Sequence, residues 1–447
     1  MGLNPDDKKT RSNALTHCHA PDAVKRDYRG ENCPPQRIFC VRICFAQRLR
    51  GIFGGMQKSF ELLVQDRRIK ARHGRLLTAH GAIETPAFMP VGTQGSVKAV
   101  SPRELCELNA QIILGNTYHL FVRPGIDVIK HFGGLHKFMN WDGPILTDSG
   151  GYQIFSLAKL RKITEDGVHF QNHVDGTPAF ISPEIAMEIQ SALGSDIAMV
   201  LDECPPWPCE HEYAARSLEM TTRWAKRCKQ AAKSEIRNPK SETNAQLSTL
   251  DHQLLFSIVQ GATFEDLRRE AAEAVVAIGF DGYAIGGVSV GEPEEEMIKA
   301  VESSEPILPV NKPRYAMGLG TPPQLLEMIA RGMDLFDCVL PTRLARNGTA
   351  FTSTGTLNLK NAEFTMDRRP IEEGCACSSC SGFARGYIRH LIKAEEILGL
   401  RLITIHNLHF YLDLMRQTRD KIDSGTFDEF RRGFVSNYRT RDSEPAI

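Results

Sequence analysis

The sequence has no long hydrophobic run, no excess of charge of one sign and no glycine-rich phosphate loop. A membrane-spanning helix needs about 18 or more consecutive apolar residues, and no run here is that long. Lys and Arg number 54, as do Asp and Glu, so bulk charge cannot hold nucleic acid and any such contact needs a local patch. The segment Gly318-Leu-Gly320 is only half of a dinucleotide-binding fingerprint. These absences argue against membrane-spanning proteins and nucleotide-dependent enzymes.

The sequence also lacks a secretory signal, although it contains 12 cysteines. No positively charged start is followed by an apolar segment and a small-residue cleavage site. Cysteines in such a chain are expected to stay reduced, so we predict a cytoplasmic protein without disulfides.

The first 55 residues differ from the rest of the chain. They carry ten Lys or Arg against five Asp or Glu and show no helical or strand period. We predict that residues 1–55 are a disordered extension, or translated sequence upstream of a true start at Met56. An organelle transit peptide fits less well, because such peptides are poor in acidic residues.

Eight short apolar runs, each ending on a polar residue, a glycine or a proline, follow one another along the chain. Their interiors are mostly continuous rather than alternating, which is typical of parallel strands buried on both faces. Most of the intervening segments are long enough for a crossover helix. The sequence therefore predicts a TIM (β/α)8 barrel over residues 56–345. The runs are Ala87–Thr93, Ile112–Asn116, Ile145–Asp148, Ile197–Asp202, Leu254–Gln260, Tyr283–Gly287, Tyr315–Gly320 and Leu335–Pro341.

Several segments interrupt or extend the barrel pattern. Turn-forming residues within alternating sequence predict β-hairpin excursions at Lys162–Ile181 and Asn347–Met366. Ser-Pro pairs predict helices that begin after Ser101 and Ser182. Apolar residues at helical spacing predict one helical stretch from Thr404 to Val435.

The polar segment 238–248 reads as a surface insertion. Beyond the barrel we predict a hairpin and zinc-binding subdomain at 346–406. C-terminal helices at 407–447 are predicted to pack on the barrel.

Three clustered cysteines predict a metal site. Cys375, Cys377 and Cys380 are followed 26 residues after the last of them by His406. Three thiolates and one imidazole fill a tetrahedral Zn²⁺ shell, so we predict one structural zinc per chain. His409 and His390 are alternatives to His406, which we favour because Asn407 and a predicted helix start adjoin it.

Three aspartates lie at the ends of predicted barrel strands. A barrel gathers the carboxyl ends of its strands at one mouth, so Asp148, Asp202 and Asp337 should converge there together with Gln260. Each acid alone could be structural, as a helix cap, a turn former or the partner of a buried arginine. Three together are costly to bury unless they are used.

The motifs in this region resemble those of bacterial-type tRNA-guanine transglycosylases, from about Met56 to about Val435. Together with the cysteine cluster, the segments that carry the resemblance are Thr147–Gln153 (TDSGGYQ), Ile258–Ala262 (IVQGA), Ile285–Glu292 (IGGVSVGE), Met317–Pro322 (MGLGTP) and Phe336–Gly348 (FDCVLPTRLARNG).

The resemblance implies the exchange of the wobble guanine in GUN-anticodon tRNAs for 7-aminomethyl-7-deazaguanine, a precursor of queuosine. Asp337 matches the nucleophile that attacks the ribose anomeric carbon, and Asp148 matches the general acid/base and also contacts the base. Exchange through a covalent ribosyl-enzyme is a double displacement. It requires that the guanine leave the anticodon stack.

The resemblance also implies which residues hold the base. Asp202, Gln260 and the Gly287 amide match residues that read its edge. Tyr152 and Met317 match the walls on its two faces, where aromatic and sulfur contacts suit a flat ring.

A second group of residues concerns the substituent on the base. Cys204 and Val290 match positions that leave room for an aminomethyl group. Glu292 would meet its ammonium.

The predicted RNA contacts lie beyond the nucleophile. Arg343 and Arg346 follow Asp337 closely and could meet phosphates of the anticodon stem-loop. Further basic residues of the zinc region would extend this face, and the resemblance implies a homodimer. These residues are Arg368, Arg369, Arg385, Arg389 and Lys393.

Four other hypotheses compete with this one. The chain could be a non-catalytic tRNA-binding relative or a subunit of a heterodimeric queuine-inserting enzyme, although all three acids are present in matching motifs. An archaeal-type enzyme is expected to carry an added RNA-binding module after the last helix. A metal-dependent hydrolase needs histidine ligands at strand ends, where only His119 lies.

Overall fold

Eight parallel strands close into a barrel in the computed structural model, which describes residues 59–157, 160–237 and 253–439. The predicted extension 1–55 and insertion 238–248 lie outside the described residues. The strands are β1 Phe60–Gln65, β2 Arg72–Thr78, β3 Gly81–Thr85, β4 Ala87–Gly92, β5 Ile113–Gly115, β6 Ile145–Thr147, β7 Arg161–Ile163, β8 Val168–Gln171, β9 Pro178–Ile181, β10 Ile197–Met199, β11 Leu254–Val259, β12 Gly282–Ile285, β13 Arg314–Ala316, β14 Leu335–Cys338, β15 Thr349–Thr352 and β16 Gly355–Asn358.

The barrel order is β4-β5-β6-β10-β11-β12-β13-β14, and β14 pairs with β4 to close it. All eight predicted strands are present, and the predicted TIM barrel is confirmed. Strands such as β5, β6 and β10 are buried at every residue, because helices cover one face and the barrel interior the other. That double burial explains why the sequence shows continuous apolar runs there.

Helices follow the barrel strands and form the outer layer. Their bounds are α1 Pro102–Glu107, α2 Thr117–Val122, α3 Ile126–His131, α4 Leu135–Met139, α5 Gly151–Leu157, α6 Pro183–Leu193, α7 His211–Arg237, α8 Glu265–Ile278, α9 Glu294–Ser304, α10 Pro322–Ala330, α11 Leu340–Arg346, α12 Ser378–Gly382, α13 Arg385–Lys393, α14 Ile397–Asp423 and α15 Phe427–Asn437. Short 3-10 turns occur at Glu305–Ile307 and Ala362–Phe364. None of the described helices is both long and apolar enough to cross a membrane.

The two predicted helix starts are confirmed. Ser101 and Glu104 form a capping box, in which the Ser101 amide donates to the Glu104 carboxylate at 2.9 Å. The Ser182 hydroxyl accepts from the amide of Ile185 at 3.2 Å. Each serine satisfies a backbone donor that the first helical turn leaves free.

Both predicted β-excursions are present as well. Strands β7, β8 and β9 form a three-stranded antiparallel sheet after the third barrel strand, and β15 and β16 form the later hairpin. A third antiparallel sheet, β1-β2-β3, precedes the barrel. No sheet was predicted for this segment.

The prediction of one helical stretch from Thr404 to Val435 is wrong in its start and its continuity. Helix α14 begins at Ile397, and a break at Ser424 to Thr426 separates it from α15. Gly425 has a φ of +68°, a left-handed conformation that ends helices. His406 consequently lies in the middle of a helix rather than at its start, and α14 runs through the predicted boundary between 406 and 407.

Buried ion pairs brace the amino-terminal end of the barrel. The Arg72 guanidinium donates to Asp334 with its Nε at 2.9 Å, and Arg314 donates to Glu305 at 2.6 Å. All four residues are buried. Both of these buried acids therefore have a cationic partner, which fits a stabilising role for this end of the barrel.

Candidate active site

Asp337 lies in β14 near its carboxyl end, and its carboxylate is held from one side. Oδ1 accepts from the Tyr315 hydroxyl at 2.6 Å and from the Gly318 amide at 2.8 Å. The side chain remains partly open to solvent. Burial raises the pKa of Asp337 above its ordinary value. A carboxylate that is oriented by two donors and still reachable suits a nucleophile.

Asp148 follows β6 and is almost fully buried. Its carboxylate accepts from the Thr117 amide at 2.9 Å, from Gln153 Nε2 at 2.7 Å and from the Asn116 side chain. Burial, with a smaller contribution from the charge of Asp337, raises its pKa to about 6. The two acids are therefore within electrostatic reach, and Asp148 can exchange protons near neutral pH.

Asp202 lies just beyond β10 and is also buried. It accepts from Gln260 Nε2 at 2.7 Å and from the Ser149 hydroxyl at 3.1 Å. Burial raises its pKa to about 6. Because Ser149 adjoins Asp148, the three predicted acids and Gln260 converge at one end of the barrel.

Gly287 follows β12 and cannot carry a side chain. Its φ is +61°, and an ideal Cβ there would lie 2.3 Å from Gln260 Oε1. That oxygen is buried and has no hydrogen-bond partner within the described ranges. The Gly287 amide interacts with the thiol of Cys204. A carbonyl oxygen and an amide thus lie side by side, as reading a planar base edge requires.

The two predicted walls lie at the same end of the barrel. Tyr152 is in the first turn of α5 and its side chain is half exposed. Met317 follows β13, is partly buried, and donates its amide to the Ile285 carbonyl at 3.3 Å. Their roles as the two faces of a base site remain predictions.

The predicted contact of Glu292 with the ammonium group of the base stays a prediction. Its carboxylate accepts from the backbone amides of Ser289 and Val290, the latter at 2.8 Å. It thereby holds the turn that follows Gly287. Cys204 is buried beside Asp202, as expected for a pocket wall.

Arg268 is a site residue that the sequence analysis missed. It lies in α8, is fully buried, and donates to four backbone carbonyls. Two of these carbonyls belong to Gly286 and Gly287, and a third to Val259, next to Gln260. In the sequence it is one of two adjacent arginines on an amphipathic helix, a pattern typical of a solvated face.

The four predicted metal ligands come together in the zinc subdomain. The Sγ atoms of Cys375, Cys377 and Cys380 lie 3.7, 3.7 and 3.3 Å from His406 Nδ1. All four ligand atoms are within 4.8 Å of one another. Spacings of this size surround a tetrahedral metal ion, and the three sulfur donors favour zinc.

The orientation of His406 supports it as the fourth ligand. Its Nε2 is 2.7 Å from the Phe351 carbonyl, so Nε2 carries the proton and Nδ1 keeps a free lone pair facing the sulfurs. His409 Nδ1 is 3.7 Å from Cys375 Sγ but does not belong to the four-atom cluster. With either histidine as the fourth ligand, the donor set fits a structural zinc.

Arg343 and Arg346 are exposed on α11, directly after the strand that carries Asp337. Neither forms an ion pair with any residue that the structure describes, so both charges are available to phosphates. In contrast, Arg369 and Arg385 pair with Asp367, and Arg389 donates to the Asn361 carbonyl at 2.8 Å.

Comparison with known proteins gives a consistent answer. A family model described as queuine tRNA-ribosyltransferase matches residues 66–440. The chain belongs to the queuine tRNA-ribosyltransferase family. A protein of that name from Symbiobacterium thermophilum is 53% identical over 389 residues, which cover 87% of this chain and 94% of the relative.

Two further relatives of the same name show similar identity. The protein from Lysinibacillus sphaericus is 55% identical over 85% of this chain and 96% of its own length. The one from Staphylococcus aureus strain JH9 is 55% identical over 82% of this chain and 93% of its own length. The family resemblance, the barrel and the prediction of a pentosyltransferase enzyme are thereby confirmed. The individual roles of the site residues remain predictions.

Proposed function

We propose that the chain is a tRNA-guanine transglycosylase of queuosine synthesis. In this proposal it exchanges the wobble guanine of GUN-anticodon tRNAs for 7-aminomethyl-7-deazaguanine. The names of the relatives support the tRNA substrate and the ribosyl transfer. The observation that carries the proposal is the pairing of a reachable, oriented Asp337 with the buried acid Asp148 at the mouth of one barrel.

The first half of the reaction removes guanine. Asp337 attacks C1′ of the flipped nucleotide, the bond from C1′ to N9 breaks, and its electron pair leaves with the base. Tyr315 and Gly318 direct one oxygen of Asp337 and leave the other for the attack. The protonated form of Asp148 supplies a proton to the departing base.

The second half reverses these steps with the new base. The incoming base gives its N9 proton to Asp148 and attacks C1′, and Asp337 leaves as a carboxylate. A pKa near 6 lets Asp148 act in both directions near neutral pH. Asp202, Gln260 and Gly287 hold either base by its edge.

Zinc has no part in these steps. When bound, it would cross-link the cysteine loop to α14 through Cys375, Cys377, Cys380 and His406 and stabilise the subdomain.

The partner, location and domain layout are part of the proposal. A second copy of the chain is the proposed partner, and exposed apolar side chains of the zinc region support it: Ile397 is 76% exposed and Tyr387 44%. The eight cysteines of the described ranges are free thiols, which supports a cytoplasmic location. A barrel, a zinc subdomain and C-terminal helices remain the proposed domains.

The test is a covalent trap. Wild-type protein is incubated with an anticodon stem-loop and a competitive base analogue, then denatured. We expect a denaturation-resistant adduct with the wild type and none with Asp337→Asn, which should still bind the stem-loop because only one oxygen is changed. Incorporation of labelled guanine should likewise vanish in Asp337→Asn. Normal turnover in that variant rejects Asp337 as the nucleophile.

A further inference from the structure

Arg268 is a buried cation without a carboxylate partner. Its Nε donates to the Ala262 carbonyl at 2.7 Å, and its Nη1 donates to Val259 and Gly286 at 3.0 and 2.7 Å. Its Nη2 donates to Gly287 at 3.0 Å. No acid of the described ranges lies within ion-pair distance, and the nearby Glu292 is engaged by backbone amides.

Such an arrangement is costly in free energy. A buried guanidinium loses its hydration, and neutral carbonyls return only part of that loss. Burial lowers the pKa of Arg268 to about 10, so it stays charged at neutral pH. No neutral side chain has enough N–H donors to bind four carbonyls, so the brace itself requires a guanidinium, and its charge is brought with it to this position.

The guanidinium lies directly behind the proposed base site. An ideal Cβ on Gly287 would be 2.3 Å from Gln260 Oε1 and 3.4 Å from Arg268 Nη2. The carbonyl of Gly286 and the amide of Gly287 belong to one peptide group. Arg268 therefore donates to one end of the peptide whose other end, the Gly287 N–H, is predicted to contact the base.

We propose that Arg268 stabilises, through the peptide between Gly286 and Gly287, the negative charge that develops on the base during exchange. The inference rests on the proposed function. When the bond from C1′ to N9 breaks, its electron pair stays on the departing base until Asp148 protonates it. The incoming base passes through the same charge as it gives up its N9 proton.

The site needs such a cation because its acids oppose an anionic base. Asp202 binds the edge of the base as a carboxylate, and its charge repels a base that becomes anionic in a poorly solvated site. A hydrogen bond from Arg268 polarises the peptide and strengthens the Gly287 N–H as a donor. Arg268 does not touch the base, so it is a positioning residue that acts through the backbone.

The test varies the acidity of the incoming base. Exchange into an anticodon stem-loop is measured with guanine and with 7-deazaguanine, whose N9–H is less acidic because carbon replaces an electron-withdrawing nitrogen. For Arg268→Gln we expect kcat/KM to fall about 10-fold with guanine and about 100-fold with 7-deazaguanine. For Arg268→Lys, which keeps the charge, the ratio of the two bases should stay close to that of the wild type.

Equal losses with both bases in Arg268→Gln would overturn the proposal and leave a purely structural brace. If that variant does not fold, Arg268→Met takes its place: a larger loss with 7-deazaguanine supports the proposal, and equal losses with both bases overturn it. A tenfold change of the base ratio in Arg268→Lys also overturns it. Arg419→Lys is the matched control. Arg419 also donates to a backbone carbonyl, that of Pro86 at 2.6 Å, but it is remote from the three aspartates of the site. A wild-type chain that exchanges neither base rejects the proposed function itself.

Discussion

Asp202 shows how the site gives up stability for chemistry. Its pKa is raised from 3.8 to about 6, so the folded protein favours the protonated form. Its contribution to stability is therefore full below about pH 3.8 and is lost as the pH rises through about 6. At neutral pH the ionised carboxylate destabilises the fold, although it is the form that accepts hydrogen bonds from a base.

Asp202→Asn should therefore separate stability from activity. At about pH 7.5 we expect the free energy of unfolding to rise by about 2 kcal/mol, because a buried charge is removed. The Gln260 amide can rotate so that its unpaired oxygen accepts from the new side chain. Base affinity and exchange should fall. Thermal melts at about pH 4 and about pH 7.5 check the sign of the stability change. A variant that is less stable than the wild type at the higher pH contradicts the prediction.

Arg343 and Arg346 on α11, which form no ion pair with the described residues, provide a second prediction for single residues. Arg343→Ala should weaken stem-loop binding uniformly across anticodon sequences and reduce the salt dependence of log K by about one phosphate contact. Binding is measured by titration at several salt concentrations. Arg416→Ala is the control, because Arg416 is already paired with Asp413 and Asp420. An unchanged salt slope in Arg343→Ala would remove this residue from the RNA contact.

The site residues that end strands were predictable, whereas Arg268 was not. Asp148, Asp202 and Gln260 stand out because a polar residue closes an apolar run. Arg268 occupies a helix whose charged residues normally face water, and only the tertiary structure shows it turned inward onto carbonyls. The sequence carries no periodic signal for that orientation.

Among the elements, α14 was the one most misread. The segment Leu398-Gly399-Leu400 lies inside α14, although glycine weakens a helix. In the structure an ideal Cβ on Gly399 would lie 2.9 Å from Leu391 Cβ. Gly399 is therefore needed for close packing of α14 on α13, and tertiary contact overrides its low helix propensity.

Loss of the metal should destabilise the protein through α14, the helix that carries His406. Cys377→Ser and His406→Ala should each lose the predicted single zinc and lower the melting temperature, because the zinc subdomain has its own small core. Zinc content by atomic absorption and thermal melts check this. His409→Ala and Cys106→Ser are matched controls outside the four-ligand cluster, and both should retain zinc. Full zinc retention in His406→Ala would transfer the fourth ligand to His409.

At the scale of the molecule, the barrel was predictable because parallel strands buried on both faces appear in the sequence as short continuous apolar runs. Eight such runs with crossover lengths between them admit few other topologies. The sheet β1-β2-β3 was not assigned because its strands are half exposed, and pattern alone does not fix how they pair.

The quaternary structure provides the prediction at this scale. Ile397→Asp should convert the proposed dimer into a monomer, because it places a charge at an exposed apolar side chain of the zinc region. Light scattering coupled to size exclusion measures the mass. Val310→Asp is the control, a similarly exposed aliphatic residue outside that region. A mass that is unchanged from a dimeric wild type would place the interface elsewhere.

Tyr411 of α14 donates its hydroxyl to the carbonyl of Gly320, in the loop whose Gly318 amide holds Asp337. Ribosomes deliver a polypeptide from its amino terminus, so this loop emerges some ninety positions before the side chain that fastens it. A nascent chain released after β14 would contain every acid of the site and still lack its anchor. Competence for chemistry should therefore arise late in translation, well after the barrel strands have been made.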